Sequence, residues 1–410
     1  MKAFRGTYDQ LPSVRRQHAS VESCARRVLS LYQFEEVSTP IFEYLDVFVR
    51  TLGETSDVVT KEMFTFRDRH EDLLALRPEG TAGVMRAVLT NQLVQSVPLK
   101  YFYTGPMFRY ERPQKGRMRQ FHQVGVEHIG EAHPLADAEC IAMGAHFLRE
   151  LNLSGTIELE VNTLGDEGSR QKYRHALVNY FSLYEQDLSP DSKERLQKNP
   201  LRILDSKDEM DQRIVQDAPK IQAFLTPEAE KFFESVLRGL EALKVPFQVN
   251  PRLVRGLDYY GHTAFEFRTS SLGAQNTVLA GGRYDGLSVQ MGGPRLPSVG
   301  WSAGIERLVL LLSKELRALR PVALIPLGEA AENKVWTLAQ KLRKENIPTQ
   351  LAYDGSLKSR MKKANRAGAS HALILGEEEL QNDQATLKDL DLGTQKTIEM
   401  SQLLSYLKAL

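Results

Sequence analysis

The stretch FRYERPQKGRMRQFHQVGVE, Phe108 to Glu127, sets Arg109, Arg112, Lys115, Arg117 and Arg119 around Gly116, then closes with Phe121, Gln123 and Glu127. Guanidinium groups fork onto phosphate oxygens, so cations grouped in this way suit a triphosphate. A solvated basic hairpin accounts for the turn alone, since surface charge is ordinary. Arg109 is harder to treat so, because it follows Met107 and Phe108 and a partly buried guanidinium needs anionic partners. Glu79, Gln123 and Glu127 either pair with local backbone or meet a ligand carrying an ammonium group and a ring with N–H donors. Phe121 is either core or a stacking platform.

Three more segments carry chemistry. RLVRGLDYYGHTAFEF holds Arg255 before Gly256, then Asp258, Tyr259 and Tyr260; it is a Gly-turned, Tyr-packed loop unless Arg255 works on phosphate. GGRYDGL, Gly281 to Leu287, puts small residues where backbone must approach something closely. GWSAGIERLVLLL places Arg307 in the first turns of an otherwise apolar helix, where a lone Arg ordinarily snorkels to water. Near the end, SLKSRMKKANRAGA brings Lys358, Arg360, Lys362, Lys363 and Arg366 onto one helical stretch, either a solvated face or a patch for polyanions. No GxxxxGK[ST], HExxH or GxGxxG motif occurs. The two cysteines, Cys24 and Cys140, are too few and too distant for a disulfide framework or a Cys-based zinc site.

The elements that must position these groups follow from periodicity. A helix is predicted from Ser13, its hydroxyl as cap, through Val14, His18, Val21, Ala25 and Val28 to about Tyr32. MFTFRDRHEDLLALRPEGT reads as a hairpin with Glu79 and Thr81 at its far end, and VSTPIFEYLDVFVRTLG as a strand edge or helix start at Pro40. KYFYTGPMFRYE and RQFHQVGVEHI read as antiparallel strands joined by the Gly116 turn, which puts Arg109 on a face with Glu111, and Phe121 on a face with Gln123 and Glu127; if those faces coincide, the charges converge on one concavity. TIELEVNTLG, FQVNPRLVRGLDYYGHTAFEFRTS, NTVLAGGRYDGL and SVGWSAG supply further strands, the last running into the helix that carries Arg307. Between about Asp166 and Leu243 the pattern is helical and charged, predicting a helical insertion. Beyond Arg320, PVALIPLG, IPTQLAYD and HALILG alternate with helices, predicting a small parallel α/β domain.

The totals fit this division. A chain of 410 residues should hold two or three domains at roughly 150 residues each. Lys+Arg 53 against Asp+Glu 52 gives a net charge of +1, so a polyanion must be met by local patches and not by bulk charge. MKAFRGTYDQLPSVRRQ has no apolar stretch after its basic residues, and no run approaches the roughly 20 apolar residues of a membrane helix, so a cytoplasmic protein without membrane contact is expected.

The chain resembles the histidyl-tRNA synthetases over essentially its whole length. FEEVSTPIFEYLDVFVRTLG, FRYERPQKGRMRQFHQVGVE and GIERLVLLL are similar to the three class II synthetase motifs, and RPEGT, LVRGLDYY and GGRYDGL to the stretches particular to the histidine enzymes. The resemblance implies an α+β catalytic domain, an antiparallel sheet flanked by helices, over residues 1–320 with the helical insertion at about 166–243. A C-terminal anticodon-binding α/β domain over 321–410 would follow, and the chain would form a homodimer. It implies ligation of L-histidine to tRNA(His) through histidyl-adenylate, with ATP as substrate accompanied by Mg²⁺ and with no organic cofactor or resident metal. By the same resemblance Arg255 and Arg109 are catalytic; Arg109 holds the α-phosphate and the substrate carboxylate, while Arg117 and Arg307 hold the outer phosphates. Phe121 stacks on adenine, which Glu111 contacts; Glu79, Thr81 and Gln123 take the amino group of histidine. Glu127 and Tyr260 grip its ring nitrogens, Tyr284 lines the pocket, and Gly80 and Tyr259 complete the histidine contacts. Gln114 and Arg119 face the tRNA acceptor end, and Lys358, Arg360, Lys362 and Lys363 would meet tRNA elsewhere. The rivals are a non-catalytic, histidine-binding regulatory subunit of a biosynthetic enzyme, against which Arg109, Arg255, Arg307 and the last domain speak, and a synthetase of the same subclass for another amino acid, against which LVRGLDYY speaks.

Overall fold

The computed structural model describes residues 1–53, 56, 58–255, 259–313 and 318–409; Gly256 and Asp258 of the arginine loop and Lys314 to Leu316 lie outside the described residues. The chain divides into two compact units, Met1–Glu315 and Leu316–Leu410. The first unit opens with α1 (Pro12–Leu31), β1 (Glu35–Glu36), β2 (Phe42–Tyr44), α2 (Leu45–Leu52), β3 (Thr65–Arg67), β4 (Leu73–Leu76), α3 (Thr81–Thr90) and the long strands β5 (Leu99–Phe108) and β6 (Gln120–Ile129). It continues through α4 (Pro134–Glu150), β7 (Glu158–Thr163), α5 (Glu167–Ser182), α6 (Pro190–Lys198), α7 (Glu209–Val215) and α8 (Pro227–Ala242). It closes with β8 (Gln248–Val249), β9 (Gly261–Arg268), β10 (Thr277–Arg283), α9 (Leu287–Gln290), β11 (Ser298–Gly304) and α10 (Ile305–Leu311).

Eight strands form one sheet in the order β1-β5-β6-β11-β10-β9-β7-β8, antiparallel within and parallel only at the two edge pairs. This is the antiparallel sheet flanked by helices that the resemblance implies. Side chains alternate across it. Val124 and Val126 of β6, Phe265 and Phe267 of β9, and Val299 and Trp301 of β11 face a core with Val21 and Val28 of α1, Ile141 and Phe147 of α4, Val236 of α8 and Leu308 of α10. Trp301 stacks on Phe147 at 6.0 Å and its indole N–H donates to the Cys140 carbonyl at 3.0 Å. Burying each such aromatic contributes about 1.5–3 kcal/mol. With these residues turned inward, Gln123, Glu127, Glu266, Gly300 and Ser302 must line the opposite face.

Local details depart from the sequence reading. α1 begins at Pro12, whose missing N–H costs nothing at a helix start, so Ser13 is inside the helix and its hydroxyl caps nothing. β5 stops at Phe108; the Arg109 N–H still donates to the Arg119 carbonyl at 2.9 Å, but Glu111 N–H turns back to the Arg109 carbonyl at 2.8 Å, so Arg109 and Glu111 do not share a strand face. The helical segment after β7 splits in two. Tyr173, Leu177, Phe181 and Ile203 join a second core with Tyr259, Tyr260 and Tyr284, whereas Phe233, Val236 and Leu240 of α8 pack in the main core. Asp211 organises the outer helices by accepting from the Ser189, Ser192 and Ser206 hydroxyls at 2.6–2.7 Å. A buried ion pair, Arg283 with Asp137, ties β10 to α4 and is completed by the Thr263 hydroxyl and the Glu131 carbonyl.

The second unit contains β12 (Val322–Pro326), α11 (Glu329–Lys344), β13 (Thr349–Leu351), α12 (Leu357–Arg366), β14 (His371–Leu375), α13 (Glu377–Gln381), β15 (Gln384–Asp389), β16 (Gln395–Glu399) and α14 (Leu403–Lys408). Its sheet, ordered β13-β12-β14-β15-β16, is parallel at β13, β12 and β14 but antiparallel at β15 and β16. The three strands read from the sequence thus pair parallel as predicted, and two further antiparallel strands make the sheet mixed. The link from β14 to β15 is too short for the crossover that a parallel neighbour requires.

Candidate active site

The face of the large sheet opposite the core opens into a cavity of about 360 Å³. β6 supplies Phe121 and Gln123, β11 Ser302, β9 Glu266, the Gly116 turn Arg117, and the start of α10 Arg307; Arg109, Glu111 and Arg255 enter from the flanking loops. The cavity thus gathers Arg109, Arg117, Arg255 and Arg307 from three separated segments, with Phe121 beside them. The volume falls in the range of small-molecule sites, roughly 300–1,000 Å³.

Each cation is held. Arg307 donates to the Gly116 carbonyl at 3.1 Å and the Thr277 carbonyl at 2.7 Å, tying the basic turn to β10; Gly116 sits at φ +73°, a conformation glycine adopts without penalty. Arg109 Nε donates to the Pro78 carbonyl at 2.9 Å, and its guanidinium lies 5.5 Å from the Phe121 ring centre. Arg117 pairs with Glu111 and stands 3.6 Å from Glu62. Arg255 pairs with Glu266 and lies over the Tyr260 ring at 5.2 Å. Burial, helped by Arg109 and Arg117 and opposed by Glu111, pushes the Arg307 guanidinium below its ordinary value. Burial also raises the Glu62 carboxyl, with Glu111 adding to it, whereas in Glu111 burial is outweighed by Arg117 and Arg109 and its carboxyl is held low. Charge is therefore near balance in the cleft, and an added polyanion must exchange partners with these glutamates.

Behind the cavity lies a buried compartment. Glu127 accepts from the Thr81 hydroxyl at 2.7 Å and from the Tyr284 hydroxyl. Gly300 permits this approach, since a Cβ there would meet Glu127 Oε2 and the Val126 carbonyl. Tyr259 packs on Tyr260 at 4.5 Å, and Tyr260 meets Tyr284 edge-on at 6.3 Å. Burial raises the Glu127 carboxyl to about 8, against the hydrogen bonds from Tyr284 and Thr81. Among the described residues, Gln123 Oε1 and Arg255 Nε are buried without a hydrogen-bond partner, an unusual cost for an acceptor and a donor facing one hollow.

Other predicted residues take different places. Glu79 spends its carboxylate on the Thr81 and Ala82 N–H groups at 2.7 and 2.9 Å, capping α3; burial nevertheless raises its pKa. Gly80 and Gly125 admit the buried Tyr103 ring between them, where any Cβ would collide. Gln114, Arg112 and Lys115 are exposed, but Arg119 is half-buried, its guanidinium 3.7 Å from the Tyr110 ring centre and 5.4 Å from that of Phe4. Arg360 is corrected outright: it is 6% exposed, bonded to the Pro326 carbonyl and paired with Glu332 at 2.9 Å, so it anchors α12 and cannot present charge to a polyanion. Lys358, Lys362, Lys363 and Arg366 stay exposed, with Lys363 paired to Asp354. Glu62, Tyr103, Arg202 and Glu266 were not singled out from sequence. Glu266 could have been, since it alternates with Phe265 and Phe267 on β9.

Known proteins match the chain throughout. The histidyl-tRNA synthetase family profile covers residues 6–166 and 170–308, and an anticodon binding domain profile covers 321–410. The histidine–tRNA ligase of Gluconacetobacter diazotrophicus is 54% identical over 410 residues, covering 100% of this chain and 99% of that protein. That of Rhodospirillum rubrum is 54% identical over 408 residues, covering 99% of this chain and 98% of the relative. The crystal structure of apo S. aureus histidyl-tRNA synthetase superposes with a TM-score of 0.83 at 34% identity, each chain covered at 100%.

The Glu127 carboxyl keeps its proton in the folded chain up to about pH 8, whereas in the unfolded chain it loses it near 4.5. The folded state binds the extra proton in that window, so this group's contribution to stability falls as pH rises through it and is flat above. Glu127→Gln should flatten that part of the profile, read as urea midpoints against pH; parallel profiles for the two proteins would mean that Glu127 ionises like an exposed carboxylate.

Proposed function

This chain belongs to the histidyl-tRNA synthetase family, and we propose from that premise that it is a histidine–tRNA ligase working in two steps in the cleft of its first unit. One observation carries the reading: guanidinium groups of Arg109, Arg117, Arg255 and Arg307 line one cavity together with the Gln123 oxygen, which has no hydrogen-bond partner among the described residues. In the first step a histidine carboxylate oxygen attacks the α-phosphorus of ATP and pyrophosphate leaves. No proton need move, so the barrier falls through positioning and fixed positive charge. Arg109 and Arg255 hold the carboxylate and α-phosphate, Arg117 and Arg307 the outer phosphates, and Phe121 supports adenine with Glu111 at its edge. The Gln123 oxygen accepts from the ammonium group, beside Thr81 and the Glu79 carboxylate. Glu127 and Tyr260 take the ring nitrogens, with Gly80, Tyr259 and Tyr284 shaping the wall; such a polar pocket rejects analogues lacking those partners by about ten-thousandfold. Mg²⁺ would neutralise charge on the phosphates, and Glu62, whose carboxyl is raised by burial and then by Glu111, offers it an oxygen donor. In the second step a terminal ribose hydroxyl of tRNA(His) attacks the adenylate carbonyl, AMP leaves, and the hydroxyl proton passes to the departing phosphate or to water.

Labelled pyrophosphate should enter ATP only when histidine is supplied, and Arg255→Ala should lower that exchange by about a thousandfold or more with histidine binding by calorimetry retained. Exchange driven by another amino acid, or none from folded protein, defeats the reading; lost binding in the variant reassigns Arg255 to substrate capture.

The second unit, matched by the anticodon binding domain profile, would supply a further contact with tRNA. Lys358 and Lys362 of α12 are the cations we assign there, with Lys363 beside them, and Gln114 and Arg119 stand nearer the acceptor end. Changing Lys358 and Lys362 to Glu should raise KM for tRNA while leaving pyrophosphate exchange intact; an unchanged KM would make α12 a solvated surface.

A homodimer is supported by the small sheet β2-β4-β3, which leaves Phe42 53%, Tyr44 59% and Phe66 41% exposed. Aromatic area of this kind marks an association face. Sedimentation should give twice the 46.3 kDa of one chain, with Phe42→Asp shifting it to one; a monomeric wild type would refute the dimer.

A further inference from the structure

Beside the cleft, on the core side of β6, three chain segments bring His18 of α1, His122 of β6 and Glu306 of α10 together, with one ligand atom from each lying within 4.8 Å of the others. His18 is 1% exposed and Glu306 8%, so neither is solvated. The two imidazoles meet edge-on at 5.4 Å. Gln10 enters the same space: its side-chain amide is 3.4 Å from His18 Nδ1 and 3.3 Å from His122 Nδ1, while His122 Nδ1 is also 2.8 Å from Glu306 Oε1.

These contacts make conflicting demands on one nitrogen. An imidazole nitrogen carries either a proton or a lone pair. Facing the Glu306 carboxylate, His122 Nδ1 must carry the proton; facing the Gln10 NH₂ group it must offer the lone pair. Turning the Gln10 amide so that its oxygen faces inward relieves the conflict, and a cation in place of that proton then meets four donors and no N–H. With the Gln10 amide so turned, two imidazole nitrogens, one carboxylate oxygen and one amide oxygen border the same space. This is a four-donor set of nitrogen and oxygen of the kind that closes around a divalent first-row ion such as Zn²⁺ at about 2.0–2.2 Å. The surroundings supply the outer contacts such sites use. Tyr8 OH lies 3.3 Å from His18 Nε2, where it can accept that N–H and leave Nδ1 to the ion, and Glu306 accepts the His122 backbone N–H at 2.9–3.1 Å.

We propose that His18, His122 and Glu306, with Gln10 as fourth donor, form a structural site for a divalent transition-metal ion, Zn²⁺ or its congeners. The ion joins the N-terminal segment to β6 and α10. Its ligands directly adjoin Phe121 and Arg307, so it fixes the spacing between the strand that carries the one and the helix that carries the other. The site is closed by its own side chains and has no open position for substrate.

The test is Co²⁺ titration of the full chain after dialysis against chelator, followed by visible absorption. One Co²⁺ per chain, with the strong d–d bands of tetrahedral coordination and displacement by Zn²⁺, is expected. Gln10→Ala should weaken affinity about tenfold, and His18→Gln by more than about a hundredfold, beyond what loss of an outer contact costs. His70→Gln, on the exposed β3–β4 turn, should leave the spectrum unchanged. No tetrahedral band at saturating Co²⁺, or a band insensitive to Gln10→Ala and His18→Gln, overturns the proposal and leaves the trio as a hydrogen-bonded network. If His18→Gln does not fold, the wild-type spectrum and the Gln10→Ala shift decide.

Discussion

Several guanidinium groups held in one partly buried hollow repel one another and lose hydration, and everything around the cleft answers that cost. Arg307 is pinned to the Gly116 and Thr277 carbonyls, Arg109 to the Pro78 carbonyl, Arg117 to Glu111 with Glu62 close by, and Arg255 to Glu266. These partners keep the cations in place and spread their charge. They also make the cleft exchangeable: carboxylates that now balance the arginines can give way to phosphate, while the carbonyl contacts hold the geometry. Fixed charge of this sort needs no reorganisation during reaction, which is why it serves chemistry at phosphorus so well.

The compartment behind the arginines works by the opposite device. There a carboxyl, three tyrosine rings and a threonine are enclosed so thoroughly that Glu127 holds its proton near neutrality. The helices α5 to α7 take part in that enclosure, since their apolar residues share a core with Tyr259, Tyr260 and Tyr284. The segment that interrupts the strand pattern in sequence thus shares a core with the tyrosines of the innermost compartment. A cationic, exchangeable mouth and an enclosed polar floor divide the work between phosphate chemistry and amino-acid selection.

Much of this was legible in the chain because strands alternate strictly. Phe121, Gln123 and Glu127 share a face by parity alone, and Val124 and Val126 must then face the core, as they do. The two long paired strands and the Gly116 turn were read from the residues, whereas the antiparallel sheet as a whole was implied by the family resemblance. Antiparallel pairing of β15 and β16 was not legible, because a strand's partner depends on how the chain returns, and the link after β14 permits only a hairpin.

Residue type and spacing therefore determined which side chains could act together on one strand, and the motif matches determined the family. Tertiary structure alone decided what each charge had already been given to: Arg360 to Glu332 and a buried carbonyl, Arg119 to the Tyr110 ring, Glu79 to the amides that begin α3. It alone decided that His18, His122 and Glu306, far apart in the chain, would face one another. The physical reason is common to all of them. Periodicity fixes the direction of a side chain relative to its own element, while its partner is set by the packing of distant elements, on which local spacing carries no information.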